Sequence, residues 1–372
     1  MKYVDEETLG RRRRFLLLLM TVMLLFCIGV SVMHFHAPTY KERMKVGIIM
    51  QGSRGDPGWT RTHYRAIHDA GNALGLDILV RENIREHTSG FQKAIKELYE
   101  SGAKYIFLTS DAYIEEMSYL AGQYPDVRFA ITGVESSAPG LINYSGRFYE
   151  ARYLSGVLAG RRTKTGVLGY VAPSPVAEVS RGINAFALGA QSVRPDVKVV
   201  VAWTGEHETH GSEAVKNLVG NKADIIAYHH RGREVADAAE AAGVDFIGLY
   251  EEYPELRHCL TTIEMNWENA YLSILEGTNI SIQSNGSRYY WPGTIEGQVF
   301  LTPVNPRLAL PGDEESLDAA RARVLSGQPI FAGELYDRHG RMRCKEGESM
   351  PSKNIASDMT WLLKGVETLG RQ

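Results

Sequence analysis

The stretch V-G-I-I-M-Q-G-S-R-G-D-P-G-W, residues 46–59, decides the fold class of this 372-residue chain. A short apolar run ends abruptly in a loop with three glycines, which is typical of a buried parallel strand that leads into a ligand-binding loop. Apolar residues with helical spacing follow over residues 60–74, so Trp59 lies where strand gives way to helix and should face a crevice. Simple packing at the start of that helix explains Trp59 equally well. The loop lacks the G-x-x-x-x-G-K-[ST] and G-x-G-x-x-G spacings, so nucleoside triphosphates and dinucleotides are not favoured.

The amino terminus predicts export from the cytoplasm. Four arginines at 11–14 precede an uncharged apolar stretch at 15–33, which is about the minimum length for a transmembrane helix. Cleavage after Ser31, lipidation at Cys27 and a retained anchor are the alternatives, and we favour the anchor. On this interpretation residues 1–14 are cytoplasmic, 15–33 span the membrane or act as a signal, and 34–44 form a linker to an extracytoplasmic body.

Composition excludes some classes of protein. The net charge is -3 and no basic stripe runs along the chain, so we expect no nucleic-acid partner. Three cysteines are too few for a disulfide scaffold, although Cys259 and Cys344 could pair if the fold brings them together. The length that remains after the export segment predicts two domains.

Strand and helix patterns alternate along the body, which predicts βαβ units with parallel sheets. The first unit has strands predicted at 45–50, 77–80, 105–108 and 127–131, with helices between them. The pattern restarts after Tyr149, with strands at 167–171, 197–203, 225–228 and 246–249. The C-terminal part departs from this order: we predict helices at 267–276, 314–326 and 357–369, a strand at 293–301 and a hairpin at 330–344.

Seven runs, in the same order along the chain, resemble the basic membrane proteins, which are substrate-binding proteins of ABC transporters. They are G-D-P-G-W-T-R-T-H (55–63), T-S-D-A-Y (109–113), Y-P-D-V-R-F-A (124–130), Y-E-A-R-Y-L-S-G-V-L-A-G (149–160), G-Y-V-A-P-S-P-V-A-E-V-S-R-G-I-N-A-F-A-L-G-A (169–190), N-W (266–267) and F-A-G-E-L-Y-D-R-H-G (331–340).

The resemblance implies an α/β protein with the type I periplasmic-binding-protein fold, in which two doubly wound lobes are joined by three crossings and close over a ligand. The expected lobes are 45–147 with 262–294, and 148–261 with 295–372. The crossings are expected near 145–150, 260–265 and 293–300.

The branch of the family bears on the ligand. Members that bind purine nucleosides carry an Asp-Lys-Ser-Phe-Asn run in the first loop and place a lysine near the ribose. This chain has D-P-G-W at 56–59 and E-M-N-W at 264–267, so the lysine is absent and a second tryptophan is present. The chain resembles the subset associated with free adenine, and a flat base between two aromatic rings would fit. The loops W-T-G-E-H-E-T-H (203–210) and Y-H-H-R-G-R-E (228–234) depart from the expected pattern.

Nine side chains are the predicted ligand contacts, and two of them besides Trp59 have competing structural roles. Glu178 could instead stabilise the start of the following helix as a charge, and Asn184 could only fix a backbone turn. The predicted set is Trp59, Asp56, Ser110 and Tyr113 from lobe one, Glu178, Asn184, Trp203 and His229 from lobe two, and Trp267.

Two rival functions receive less support. His207, His210, His229 and His230, with Glu206 and Glu208, supply metal-ligating atoms but have no metal-site spacing, so we predict no metal and no cofactor. No nucleophile motif or catalytic carboxylate pair is present, so no enzyme is predicted. The predicted function is a solute-binding protein that hands a small purine-like ligand to an ABC transporter permease. The alternative is a membrane-anchored sensory receptor that uses the same domain.

Overall fold

The computed structural model describes residues 6–35, 43–133, 140–205, 210–282 and 288–370. It comprises an N-terminal unit that ends at Arg43 and a body that starts at Met44. The N-terminal unit contains one helix, α1 (Glu6–Phe35). Among the described residues, no helix combines the length and the apolar character needed to cross a membrane. The span predicted at 15–33 lies within α1 and stays a prediction, and most of the linker predicted at 34–44 lies outside the described residues.

Strands from residues 45–144 and 281–290 form a seven-stranded sheet, in the order β11-β12-β5-β4-β3-β1-β2. All its neighbouring strands are parallel except β11 and β12. We call this sheet and its helices lobe one. Its strands are β1 (Lys45–Ile49), β2 (Asp77–Arg81), β3 (Ala103–Leu108), β4 (Arg128–Thr132), β5 (Leu141–Tyr144), β11 (Ser281–Ile282) and β12 (Arg288–Tyr290), and its helices are α2 (Trp59–Leu74), α3 (Ser89–Glu100), α4 (Ile114–Leu120) and α9 (Trp267–Glu276).

Lobe two contains a second seven-stranded sheet, in the order β13-β10-β9-β8-β6-β7-β16. Only β10 and β13 are antiparallel within it. Its strands are β6 (Val167–Ala172), β7 (Lys198–Trp203), β8 (Ile225–Tyr228), β9 (Asp245–Leu249), β10 (Cys259–Met265), β13 (Val299–Leu301) and β16 (Val366–Thr368), and its helices are α5 (Phe148–Arg162), α6 (Ala177–Val193), α7 (Gly211–Gly220), α8 (Glu234–Ala242) and α10 (Asp313–Leu325). The doubly wound α/β fold predicted from the sequence is confirmed.

The chain passes between the two sheets three times, as predicted. It leaves lobe one between β5 and α5, returns between β10 and α9, and leaves again between β12 and β13. At the return, Asn266 separates β10 from α9 and caps the helix, because its side chain accepts a hydrogen bond from the backbone N–H of Asn269 at 3.0 Å. β10 lies wholly in the second sheet, so the predicted start of the returning segment at residue 262 falls inside it. The lobe boundaries themselves stay predictions.

Helices α5 and α6 pack so closely that their backbones touch. A Cβ atom on Gly156 of α5 would lie 2.1 Å from the carbonyl oxygen of Phe186 in α6. Only glycine permits this approach. The contact holds α6 rigidly in lobe two, so the position of its first turn, which carries Glu178, is fixed by the core.

The helix predicted at 357–369 is wrong. The chain forms a π-helical turn (Asn354–Asp358) and then β16, which adds to the edge of the second sheet beside β7. Asn184 of α6 holds this segment, since it donates to the carbonyl of Trp361 at 2.9 Å and accepts from the backbone N–H of Leu363 at 2.8 Å. Gly365 has a φ of 89°, which no helix allows. Tertiary hydrogen bonds and one left-handed glycine therefore override the helical spacing.

The hairpin predicted at 330–344 forms, with β14 (Leu335–Tyr336) antiparallel to β15 (Met342–Cys344). Cys344 in β15 and Cys259 in β10 are both free thiols. The disulfide between Cys259 and Cys344, which the sequence allowed, is not formed.

Candidate functional site

A cleft of about 350 Å³ lies at the carboxyl ends of the parallel strands of both lobes. Loops that follow β3, β4, β6, β8 and β9 all contribute to its wall, as expected for open α/β sheets. Four of the nine predicted contacts line it, namely Trp59, Ser110, Glu178 and His229. The other lining residues are Glu86, His87, Thr109, Asp111, Ala112, Thr132, Gly133, Ser145, Pro173, Ser174, Val176, Val179, Arg231 and Tyr250.

Trp59 is a half-buried ring on the lobe-one wall of the cleft. Its indole Nε1–H donates to the carbonyl of Thr109 at 2.8 Å. Tyr250 of lobe two meets the ring edge to face, with the centroids 4.9 Å apart. These contacts fix the orientation of the indole, so a flat face is available in a defined place.

Trp267 does not face the cleft. It is 2% exposed and lies behind Trp59, with the ring centroids 5.3 Å apart and the ring planes at 81°. A base cannot be sandwiched between two rings that meet edge to face in direct contact, so that part of the prediction is wrong. Trp267 instead supports the back of Trp59.

His63 completes this aromatic support and was missed by the sequence reasoning. Its ring lies 4.2 Å from the Trp59 ring and 4.1 Å from the Trp267 ring, centroid to centroid. Its Nδ1 is 2.6 Å from the hydroxyl of Tyr271. Burial lowers the pKa of His63 to about 3, so the imidazole is neutral. The only signal in the sequence is its position one helical turn after Trp59.

Glu178 lies in the first turn of α6 and reaches the cleft from lobe two. The side chain is half-buried and makes no hydrogen bond or ion pair with any other residue that the structure describes. Burial raises the pKa of Glu178; Arg181 opposes the shift and Asp111 adds to it. The carboxylate is thus an acceptor whose partner would have to come from a ligand or solvent.

His229 directly follows β8 and also faces the cleft. Burial lowers the pKa of His229 well below its usual value, and the nearby cations, led by Arg152, add to the shift. The neutral imidazole offers one N–H donor and one acceptor nitrogen. His230 points elsewhere, because its Nε2 is 2.7 Å from the hydroxyl of Thr204 in the core of lobe two.

Two predicted contacts of lobe one do not line the cleft. Asp56 is exposed, and its carboxylate accepts the backbone N–H of Ser53 at 2.7 Å, which closes a turn of its own loop. Tyr113 is fully buried and stacks on Phe91, with the ring centroids 4.5 Å apart and the planes at 7°. Its hydroxyl donates to the carbonyl of Ile84. Both side chains shape lobe one.

Two predicted contacts of lobe two also lie away from the cleft. Asn184 is fully buried and binds the C-terminal segment, so the structural role considered for it is the one observed. Trp203 ends β7, is half-buried and packs against the hydrophobic core. Neither is among the residues that line the cleft.

Within the described ranges, no group of three histidine, cysteine, aspartate or glutamate side chains is placed to hold a metal ion. His210, His229 and His230 lie in these ranges, whereas Glu206, His207 and Glu208 of the considered cluster lie outside them.

A larger cavity of about 1010 Å³ lies beside α9 and the last crossing between the lobes. The charges of Arg147, Glu150 and Glu296 in its lining already satisfy one another, since Arg147 binds both carboxylates at 2.6 Å. Residues 289–292, at the end of β12, are part of its lining, but none of the loops that follow β3, β4, β6, β8 and β9 is. The smaller cleft, where Glu178 has no hydrogen-bond or ion-pair partner among the described residues, is therefore the better candidate for a ligand site.

Arg231 and Tyr250 are the other functional residues that sequence reasoning missed. Arg231 follows β8, donates to the side-chain oxygen of Gln51 in lobe one at 2.6 Å and lines the cleft. Tyr250 follows β9 and packs on Trp59. Both stand just after the carboxyl end of a predicted strand, which is the signal that could have found them.

Two doubly wound lobes with a ligand-sized cleft between their facing strand ends define a binding protein with the type I periplasmic-binding-protein fold. Residues 43–322 match the family Bmp, described as ABC transporter substrate-binding protein PnrA-like. The chain belongs to this family.

Individual relatives agree with this assignment. The chain is 32% identical, over 88% of its length and 94% of the relative's, to a purine-binding protein of Brucella abortus. It is 27% identical, over 89% of its length and 82% of the relative's, to a protein of Haloferax volcanii described as a candidate ABC transporter glucose-binding protein. Among solved structures, a solute-binding protein of an ABC transporter system from Conexibacter woesei is similar with a TM-score of 0.60 and 21% identity, over 77% of this chain and 97% of that one.

Proposed function

We propose that the chain is an extracytoplasmic solute-binding protein that captures a purine nucleobase in the cleft and delivers it to an ABC transporter permease. The family supports the class of protein and the permease as partner. The observation that favours a nucleobase as the ligand is the arrangement of Trp59, Glu178 and His229 around one cleft of about 350 Å³.

Each of these side chains complements a purine. The face of Trp59 offers a stacking surface, and stacking of a base on an aromatic ring contributes about 1–3 kcal/mol. The Glu178 carboxylate accepts hydrogen bonds from an exocyclic amine and a ring N–H. The neutral His229 can donate to a ring nitrogen or accept from an N–H. The purine-binding relative supports the same ligand class.

A free base such as adenine is preferred over its nucleoside in this proposal. No lysine is among the described residues that line the cleft, so the lysine expected near a ribose is not among them. The Trp59 loop is docked on lobe two, with the Trp59 backbone N–H 2.9 Å from the carbonyl of Arg231. Ribose hydroxyls enclosed there without partners would each cost roughly 1–3 kcal/mol.

The competing function, a membrane-anchored sensory receptor, rested on the predicted anchor at 15–33. That anchor stays a prediction. We put delivery to a transporter forward because the family is one of ABC transporter substrate-binding proteins.

Isothermal titration of the full chain with adenine, guanine, adenosine and glucose tests the proposal. We expect a nucleobase to bind most tightly, and adenine to bind more tightly than adenosine. Glucose is included because of the Haloferax relative. Binding of glucose without binding of either base would refute the ligand class, and tighter binding of adenosine would refute the preference for a free base.

A further inference from the structure

One carboxylate of lobe two receives a cluster of donors from lobe one. Glu251 follows β9, and its side chain accepts the backbone N–H of Gly58 at 2.8 Å. It also accepts Nε and Nη2 of Arg61, both at 2.8 Å, and Nη1 of Arg65 at 3.3 Å. The two-pronged pair with Arg61 is the strong geometry for such contacts, and Glu251 is only 13% exposed. The three donor residues belong to one segment, the end of the first loop and the start of α2.

Backbone contacts join the same segment to two neighbouring loops of lobe two. The Trp59 N–H donates to the carbonyl of Arg231 at 2.9 Å, and the Thr62 hydroxyl donates to the carbonyl of Tyr250 at 3.3 Å. Gly58 has a φ of 87°, and a Cβ atom there would lie 2.2 Å from the Arg231 oxygen. Glycine at this position is therefore required for the lobes to approach this closely.

The residue before Glu251 is held in an uncommon conformation. Tyr250 has a φ of 70°, although it is a bulky residue that disfavours the left-handed region. Such backbone geometry persists where the surroundings over-determine it, often at ligand clamps. Here the surroundings are the Tyr250 N–H bond to the Ile263 carbonyl at 2.8 Å and the ring contact with Trp59. The geometry directs the Glu251 side chain toward Gly58 and Arg61.

We propose that Glu251 is a positioning residue that latches the two lobes and sets how long a ligand stays bound, without contacting the ligand. Glu251 does not line the cleft, whereas Trp59, which its latch holds, does. The contacts join protein groups alone, so they also stabilise the closed lobes when no ligand is present. Because a ligand can leave only when the lobes open, breaking the latch should speed release. The effect on the ligand rests on the proposed function, whereas the effect on the ligand-free lobes does not.

The test compares Glu251→Gln with a matched control. Glu82 forms an ion pair of the same length, 2.8 Å, with Arg54 on the same loop, but both residues belong to lobe one. Glu82→Gln therefore removes a similar charge and a similar bond without affecting the contact between lobes. Both variants are made in the full chain.

Two measurements are made on each variant. Stopped-flow tryptophan fluorescence with adenine should show release about tenfold faster in Glu251→Gln and unchanged in Glu82→Gln. Small-angle X-ray scattering without ligand should show a larger radius of gyration for Glu251→Gln alone. Arg61→Met, which breaks the latch from the other lobe, should behave like Glu251→Gln and keeps the test valid if that variant fails to fold. The double variant should add little further change.

An unchanged radius of gyration in the folded latch variants overturns the proposal, as does an unchanged release rate. If no nucleobase binds the native chain, the proposed function fails, and scattering still decides whether the latch exists.

Discussion

Replacing Trp59 with alanine is the most direct perturbation of the proposed site. The indole is half-buried on the cleft wall, is held by the Thr109 carbonyl and presents the flat face on which a base would stack. Stacking on an aromatic ring is worth about 1–3 kcal/mol per base. We therefore expect Trp59→Ala to weaken adenine binding by one to two orders of magnitude, or about 1.4–2.8 kcal/mol.

Isothermal titration of the full chain measures this loss, and thermal unfolding of the ligand-free variant checks that the fold is intact. Trp59→Phe retains a ring but lacks the Nε1 donor to Thr109, so its loss should be intermediate. Trp203→Phe is the matched control, because Trp203 is also half-buried but does not line the cleft. Adenine affinity within twofold of native in a folded Trp59→Ala chain would show that the base does not stack there.

Three further predictions concern stability. Burial raises the pKa of Glu178 in the folded chain, so ionisation of this carboxyl destabilises the fold when the pH is above its ordinary pKa of 4.5. Glu178→Gln should therefore raise the ligand-free melting temperature at pH 7.5 but not at pH 4. Burial lowers the pKa of His63 from 6.5 to about 3, so the native chain should lose stability as the pH falls below 6.5. The free energy of unfolding in urea should therefore fall less between pH 7 and pH 4.5 in His63→Phe than in the native chain. Gly156→Ala should lower the free energy of unfolding by about 1–3 kcal/mol in urea, because the new methyl would overlap the Phe186 carbonyl.

Each stability prediction has a result that contradicts it. For Glu178, it is the same change in melting temperature at both pH values. For His63, it is an equally steep acid-side loss in the variant. For Gly156, Gly220→Ala is the control, since a methyl group there meets nothing within 4 Å. Equal unfolding free energies for these two variants would contradict the inference that the contact between α5 and α6 requires glycine at position 156.

The sequence predicted those parts of the fold that depend on local patterns. Apolar runs that end in loops located the central strands of both sheets, as at residues 45–50, and thereby the edge that carries the cleft. Glu178 and His229 could be placed at the cleft because each stands just after a strand or at the start of a helix; their contact with a ligand stays a prediction. The three crossings came from the family resemblance and not from periodicity.

The errors arose where a distant partner decides the role of a side chain. Trp267 has a ring suited to stacking on a base, but it is buried in the core against His63 and Trp59. Asn184 lies on a helix near the site, but its hydrogen-bond partners are 177 and 179 residues away along the chain. No local pattern reports such partners, and the helical spacing of 357–369 could not reveal that the segment joins a sheet.

The pairing of β16 with β7 affects the order in which lobe two can be completed during synthesis. Val366 pairs with Val199, so the β7 edge of the second sheet has no partner until residues 366–368 have been made. Before that pairing the strand there, K-V-V-V-A-W, has an open edge, and its branched apolar composition promotes edge-to-edge aggregation. A nascent or truncated chain that lacks residues 366–368 thus leaves this edge open to aggregation, and a chaperone that shields residues 198–203 until the pairing forms would protect it.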